Sequence, residues 1–424
     1  MSKIAVSRTD VDEDVERKRV LGWVVDFTLL KNGLVKLKLR RSGEIKELLL
    51  SINQIDRLTR ESAVEIEGVW NGDVLKVERF KVLVKAPEKL PVDTVSPPVD
   101  NPVIFARYSF LTIRSPKVVA TLKIQQRILQ YIREYLYDIG FTELLPPMIS
   151  PCSDPGLRGA KKLRTTLYGR EYELTSSVIM FKQAAVAALD KIFFVARNVR
   201  EEPPSNLSTG RHLCEFTQID LECAFASMWD AIKIAEGMLK HMSERLIEEY
   251  GKKLERINPS FTPFNPPFKI IKYEDAVKIL EKEGIMTPVG GEFTQEGETA
   301  LSNIIKAPFW IVNFPKSARG FYYLEEPDKP GYNRDFNLIL PSGYGEVIDG
   351  GEREYRYSRI ISRLKELGEP LEKYNWFLEL CRIGIPPSSG FGLGLERLTR
   401  YILGLSAVWE ATPFPKIPGV AAAP

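Results

Sequence analysis

The chain reads as an α+β protein in which a small all-β module precedes a larger mixed domain. Three observations carry that reading. Residues 17–86 contain five short runs of strand-forming residues separated by turn chemistry. A proline-rich stretch runs from Pro87 to Pro102. From Pro116 onward, helical periodicities of 3.6 residues alternate with strand runs of period two.

The five runs are Val20–Val25, Leu34–Leu39, Ile45–Leu50, Ala63–Val69 and Leu75–Val82. Asn32-Gly33, Ser42-Gly43 and Asn71-Gly72-Asp73 lie between them and suit tight hairpin turns. With a helical piece near Ile52–Leu58, this is the element list of a small OB-type β-barrel. The expected division is a barrel over 1–86, a semi-extended linker over 87–104, and the α+β domain over 105–424. In that domain Val119, Leu122, Ile124, Ile128, Ile132, Tyr135 and Leu136 mark one face of a helix from Pro116 to Asp138. Residues 227–250 and 358–383 read as helical, and 284–300 as a loop or small insertion.

Composition narrows the class. Of 424 residues, 44% are hydrophobic and 27% charged, which suits two or three globular domains with a sizeable core. A formal net charge of +3 is close to neutral for this length, so any nucleic-acid contact must come from local patches. The four cysteines show no paired spacing, which favours reduced thiols in the cytoplasm, and two histidines make a His/Cys zinc site implausible. The start lacks a signal-peptide core and no apolar run is long enough to cross a membrane, so no membrane partner is expected.

Two segments carry the chemistry. Lys191–Ala196 reads as a buried strand leading to Asn198-Val199-Arg200-Glu201-Glu202 and a polar loop. The chain then returns through Gly210-Arg211-His212 into a strand where Glu215, Thr217, Ile219 and Leu221 alternate with Phe216, Gln218, Asp220 and Glu222. The result is a long hairpin with Arg200, Arg211 and His212 near its loop, a cationic group suited to a polyphosphate because the planar guanidinium matches phosphate oxygens. The other segment is Gly390-Phe391-Gly392-Leu393-Gly394-Leu395-Glu396-Arg397. Its alternate glycines bare one strand face, and Arg397 projects from the start of the helix that follows, Leu395 to Leu403.

Together these segments resemble motifs 2 and 3 of the class II aminoacyl-tRNA synthetases, in the aspartate/asparagine branch. Gly140–Pro147, after the long helix, is similar to motif 1, and Gly343–Glu354 looks like the asparaginyl type in particular. The resemblance spans about residues 105–418 and implies a class II antiparallel-sheet catalytic domain behind the barrel, dimerising through the Pro116–Asp138 helix and the strand closed by Pro147.

The family reaction joins an amino-acid carboxylate to the α-phosphate of ATP. By resemblance, Arg200 meets the α-phosphate, Arg211, His212 and Arg397 the β- and γ-phosphates, Phe216 stacks on adenine, and Glu202 contacts its amino group. Glu346 and Asp349 would hold Mg2+ against the phosphates; the second position is usually serine in the aspartate branch, so Asp349 is a departure. Lys182, Arg353, Ser176 and Gly350 would bind the amino acid. Lys182 falls where aspartyl enzymes place a lysine against the substrate carboxylate. The family's Gln-Ser-Pro-Gln pattern is absent.

The acceptor stays open at this level. A tRNA ligase for asparagine is the main reading, with aspartate as the other amino acid. An asparagine synthetase using aspartate, ATP and ammonia is the alternative, and a nucleotide-binding regulator is a third that the full arginine set opposes. The barrel would read an anticodon through an aromatic residue, but Lys36 stands near the place where one is expected. The hairpin loop Pro203–Gly210 and the basic segment Arg158–Arg164 are the other expected tRNA contacts.

Overall fold

The computed structural model describes residues 17–51, 58–154 and 159–420. The chain divides into two compact units: the described residues up to Pro98 with Phe110–Ala120, and Val99–Ser109 with Thr121–Pro424 up to the last described residue.

The first unit is a closed five-stranded barrel of order β1-β2-β3-β5-β4, from β1 (Arg17–Leu29), β2 (Leu34–Arg41), β3 (Glu44–Ser51), β4 (Ala63–Asn71) and β5 (Val74–Val84). Period-two patterning explains it directly. In β2, Val35, Leu37 and Leu39 are buried while Lys36 and Lys38 face outward. The inward residues pack with Val24, Leu50, Val64, Ile66 and Leu75. The helical piece expected at Ile52–Leu58 lies, apart from Leu58, outside the described residues. Glu61 is buried and bound by Arg40 at 2.5 Å, Arg114 at 2.8 Å and the Thr94 hydroxyl at 2.7 Å. Burial pushes its carboxyl up, but Arg40 and the two other donors outweigh that and hold it below the ordinary value.

After the barrel the chain runs through the short helices α1 (Pro102–Arg107) and α2 (Ser109–Thr112) into α3 (Pro116–Asp138) and β6 (Thr142–Leu144); α1 and α3 from Thr121 onward belong to the second unit, Phe110–Ala120 to the first. A small sheet follows, β7 (Ile149–Ser150), β8 (Arg164–Leu167) and β9 (Arg170–Leu174), then α4 (Ile179–Leu189). The long hairpin is β10 (Lys191–Val199) and β11 (Glu215–Ala224), paired from Lys191↔Cys223 to Val199↔Glu215. After it come α5 (Met228–Ile257), β12 (Lys269–Lys272), α6 (Tyr273–Lys282), α7 (Gln295–Ile305), β13 (Phe309–Val312), β14 (Asp335–Leu340) and β15 (Gly345–Glu352). The unit ends with α8 (Tyr357–Glu366), α9 (Asn375–Ile383), β16 (Ser388–Gly394) and α10 (Leu395–Leu403).

The main sheet has eight strands in the order β12-β13-β14-β15-β16-β11-β10-β6. Its centre is antiparallel, as expected, and the two outermost pairs are parallel. Helices cover one face. Ile124, Ile128, Ile132 and Leu136 of α3 and Ala231, Ala235, Met238 and Met242 of α5 bury against Phe193, Ile219, Leu221, Phe391 and Leu393. Each such large side chain contributes about 1.5–3 kcal/mol by leaving water. The residues between them in β11 and β16 therefore project from the opposite face, which is the floor of the cleft. Two readings change. The 284–300 segment is a loop only to Thr294, whose side chain caps α7 by accepting from Gly297 N. The 358–383 stretch is two helices, α8 and α9.

Candidate active site

The cleft over the sheet encloses about 580 Å³ and is lined by Lys182, Arg200, Glu202, Arg211, His212, Phe216, Glu346, Asp349, Arg353 and Arg397. Ten predicted site residues, spread over more than two hundred positions of sequence, thus converge on one space. Ser176 and Gly350 do not line it.

On one side, Arg200 donates Nε to the Ser176 carbonyl at 3.1 Å and lies 5.1 Å from the centre of the Phe216 ring. The loop between β10 and β11 closes with a 3-10 turn, Pro204–Thr209, and with Gly210 in the left-handed region at φ 63°. That turn places Arg211 and His212; the His212 Nδ1 is 2.9 Å from the Thr209 hydroxyl. Asn206 donates to Glu202 at 2.8 Å. From the other side Arg397, in the first turn of α10, donates to the Arg211 carbonyl at 3.2 Å and to Glu346 Oε1 at 3.2 Å. Burial, then the nearby Arg211 charge, lower its affinity for its proton. Arg211 and Arg397 thus bring two guanidinium groups to one part of the cleft, with Glu346, Glu298 and Glu202 close by.

Glu346 and Asp349 are three apart, a spacing that places side chains on opposite faces of a regular strand. A β-bulge brings them to the same face: Glu346 pairs with Ile339 and Ile348 with Leu338, leaving Val347 as the extra residue. Asn337 links the two, donating to Glu346 at 2.7 Å and accepting from Arg319 at 2.8 Å, while Arg319 donates to Asp349 at 2.7 Å. Asp349 thus spends one oxygen on Arg319 and the other on the Tyr323 hydroxyl. Both acids are therefore already engaged, Glu346 with Arg397 and Asn337 and Asp349 with Arg319 and Tyr323, so a metal ion would share their oxygens with these groups. Among the described residues no three of His, Cys, Asp and Glu gather into a metal cluster. The donor chemistry still fits magnesium, which binds few protein carboxylates and takes its remaining oxygens from phosphates and water.

Deeper in the cleft is a buried ionic quartet. Lys182, 2% exposed, donates to Asp220 Oδ1 at 3.0 Å and to the Phe391 carbonyl at 3.2 Å, and lies 3.8 Å from Glu222. Arg353, also 2% exposed, donates to Glu222 at 3.0 Å and to the Gly390 carbonyl at 2.9 Å. Burial disfavours the Arg353 charge, but the Glu222 carboxylate more than offsets it, and the guanidinium holds its proton more firmly than usual. Two cations face two anions, so the quartet is neutral. Asp220 Oδ2 is buried with no hydrogen-bond partner. A buried carboxylate oxygen in that state awaits a donor.

Two predictions are corrected here. Ser176 is fully buried, its hydroxyl 2.5 Å from that of Ser153; it acts through the carbonyl that holds Arg200, and Ser177 lines the cleft instead. Gly350 is packed within the sheet, where a Cβ would lie 2.5 Å from the Gly390 carbonyl. The glycine that opens the floor is Gly392, whose Cβ would meet Asp220 at 2.8 Å and Gln218 at 3.0 Å. Arg319, Glu292, Tyr322 and Tyr323 line the cleft without having been singled out from sequence. The run Ser317-Ala318-Arg319-Gly320 before three aromatic residues was the available sign.

The basic segment is not a bare patch. Lys161 faces Glu201 at 3.5 Å, Lys162 faces Glu173 at 3.2 Å and Arg164 faces Glu171 at 3.3 Å; Arg158 lies outside the described residues. In the barrel, a separate groove of about 460 Å³ is lined by Lys36, Glu47, Leu48, Leu49, Trp70, Gly72 and Asp73. Trp70, not singled out from sequence, is an aromatic residue lining the same groove as Lys36.

A sheet with helices on one face and, on the other, a cleft lined by Arg200, Arg211 and Arg397 over a buried ionic pocket have the arrangement of a class II synthetase core. Residues 102–418 match the family model of class II tRNA synthetases (D, K and N), and the chain belongs to that family. It is 31% identical to an asparagine–tRNA ligase of Pyrococcus abyssi over 96% of this chain and 97% of that one. It is 30% identical to an aspartate–tRNA(Asp) ligase of Thermoplasma volcanium over 94% of each. The asparaginyl-tRNA synthetase of Pyrococcus horikoshii, solved with asparaginyl-adenylate, superposes with a TM-score of 0.86 at 29% identity, with 97% of both chains covered.

Proposed function

We propose that this chain is an asparagine–tRNA ligase that activates asparagine with ATP and transfers it to tRNA. The observation that carries the choice of amino acid is the neutral quartet. Lys182 alone points to a carboxylate substrate, but Asp220 and Glu222 already balance Lys182 and Arg353. A neutral carboxamide suits that balance, offering an N–H to Asp220 Oδ2 and an oxygen to the cations. Aspartate would bring an unbalanced buried charge, which is strongly unfavourable.

In the activation step the asparagine carboxylate oxygen attacks the α-phosphorus of ATP and pyrophosphate leaves. Arg200 holds the α-phosphate; Arg211, His212 and Arg397 hold the β- and γ-phosphates; Phe216 stacks on adenine, with Glu202 at its amino group. Positioning and fixed positive charge are sufficient, and no covalent nucleophile is needed. Mg2+, held by Glu346 with Asp349 beside it, would supply charge neutralisation to the phosphates. A tRNA terminal hydroxyl then attacks the adenylate carbonyl and AMP leaves. Trp70 in the barrel groove would provide the face on which an unpaired base stacks.

The chain is read as a cytoplasmic homodimer. Among the described residues no helix is long and apolar enough to cross a membrane. The dimer is supported by the segment after α3: β6 is a sheet edge, and Leu145 is 92% and Ile149 42% exposed beside it.

Pyrophosphate exchange with each amino acid tests the reading. Asparagine should support exchange and aspartate should not, and labelled asparagine should then appear on tRNA. Release of free asparagine from aspartate, ATP and ammonia would replace this reading with an ammonia ligase.

A further inference from the structure

We propose that Glu298 is a positioning residue that holds Arg211 ready for the ATP triphosphate, an inference that rests on the adenylate-forming reading of the cleft. Arg211 stands at the base of a loop, where a long flexible side chain would otherwise sample many rotamers. Instead its side chain is only 5% exposed, and Nη2 donates to Glu298 Oε2 at 2.6 Å. Glu298 comes from a distant part of the chain, the first turn of α7, and is itself nearly buried at 12%. It does not line the cleft, whereas Arg211 does. The carboxylate therefore stands behind the arginine, and acts through it.

Two further observations show that the slot is built for this pair. The same Glu298 oxygen lies 3.4 Å from the Glu346 backbone N–H, so one carboxylate ties Arg211 to the start of β15, where Glu346 sits. Gly345, at φ 73°, leaves just enough room: a Cβ there would lie 2.5 Å from the Arg211 guanidinium.

The charge balance explains why an acid is needed. Arg211 and Arg397 approach each other, and Arg397 has Glu346 as its counter-charge. Without Glu298 the two cations would repel across the cleft, and Arg211 would have to be ordered during ATP binding. With it, the arginine is preorganised to face the phosphates.

The test compares Glu298→Gln and Glu298→Asp with the unaltered full-length protein. A non-hydrolysable ATP analogue is titrated at equilibrium, and pyrophosphate exchange is measured with asparagine. Loss of one charge-assisted contact on Arg211 should weaken the analogue and raise KM for ATP about tenfold in Glu298→Gln, with kcat within about twofold. KM for asparagine should not move, and Glu298→Asp should recover most of the ATP affinity. Analogue affinity and KM for ATP equal to those of the unaltered protein, with only the melting midpoint lowered, would reduce Glu298 to a structural contact and overturn the proposal. If the unaltered protein fails to exchange with asparagine, the substrate reading falls, but the analogue titration still decides the role of Glu298.

Discussion

Arg200, just after β10, and Arg397, in the first turn of α10, face the cleft from segments far apart in sequence, each held in place by a backbone carbonyl. Replacing either by alanine should remove a transition-state contact of about 2–4 kcal/mol and abolish measurable pyrophosphate exchange while leaving the fold intact. Near-normal exchange in either variant would move the ATP site elsewhere. Asp220 is the residue on which the proposed amino-acid choice turns, because its buried Oδ2 has no hydrogen-bond partner. Asp220→Asn removes the acceptor and one negative charge, so asparagine should lose kcat/KM and the ratio of asparagine to aspartate should fall; an unchanged ratio counts against the quartet as the selector. Asp335 offers a pH test. Burial pushes its carboxyl up to about 7, although Arg319 pulls the other way. A group raised in the folded state contributes stability that is complete below its ordinary value and is lost as pH rises through about 7. The stability of the unaltered protein relative to Asp335→Asn should therefore fall between about pH 4 and about pH 7 and level off above; a flat difference across that range would show that the carboxyl is not raised in the folded state.

Among the elements, β11 and β16 explain the cleft most simply: alternate residues face helices or substrate, and that alternation is written in the sequence. The bulge in β15 is different. Whether Glu346 and Asp349 share a face depends on which residue is extruded, and that is set by pairing with β14. The loop and helix before β13 were harder still, since Glu292 and Glu298 reach arginines that lie elsewhere in the chain. At the same scale, the exposed edge at β6 makes a prediction. Leu145→Glu should place a charge at the proposed two-fold contact and shift the protein from dimer to monomer at micromolar concentration by light scattering. A protein that is monomeric before substitution, or a dimer unaffected by it, would place the contact elsewhere.

For the whole molecule, the two units separate two measurements. The cleft proposed to form the adenylate lies in the second unit, and the barrel groove with Trp70 lies in the first. Trp70→Ala should lower tRNA charging by removing a stacking face of about 1–3 kcal/mol, and leave asparagine-dependent pyrophosphate exchange unchanged. Equal loss in both assays would mean a general effect on folding, and no loss in either would leave the groove without a role in tRNA binding.

The sequence by itself determined the barrel, the hairpin and the arginine cradle. Period-two patterning and glycine turns are local signals, and Arg200, Arg211 and Arg397 sit in short motifs whose neighbours declare them. It also named Lys182 and Arg353, but only as isolated cations. The tertiary structure decided their meaning, because charge compensation is a property of distances: Asp220 at 3.0 Å and Glu222 at 3.8 Å turn a lysine that points to aspartate into half of a neutral pair. It likewise withdrew Ser176 and Gly350 from the cleft and supplied Arg319 and Glu298, since burial and long-range pairing arise only once distant segments pack together.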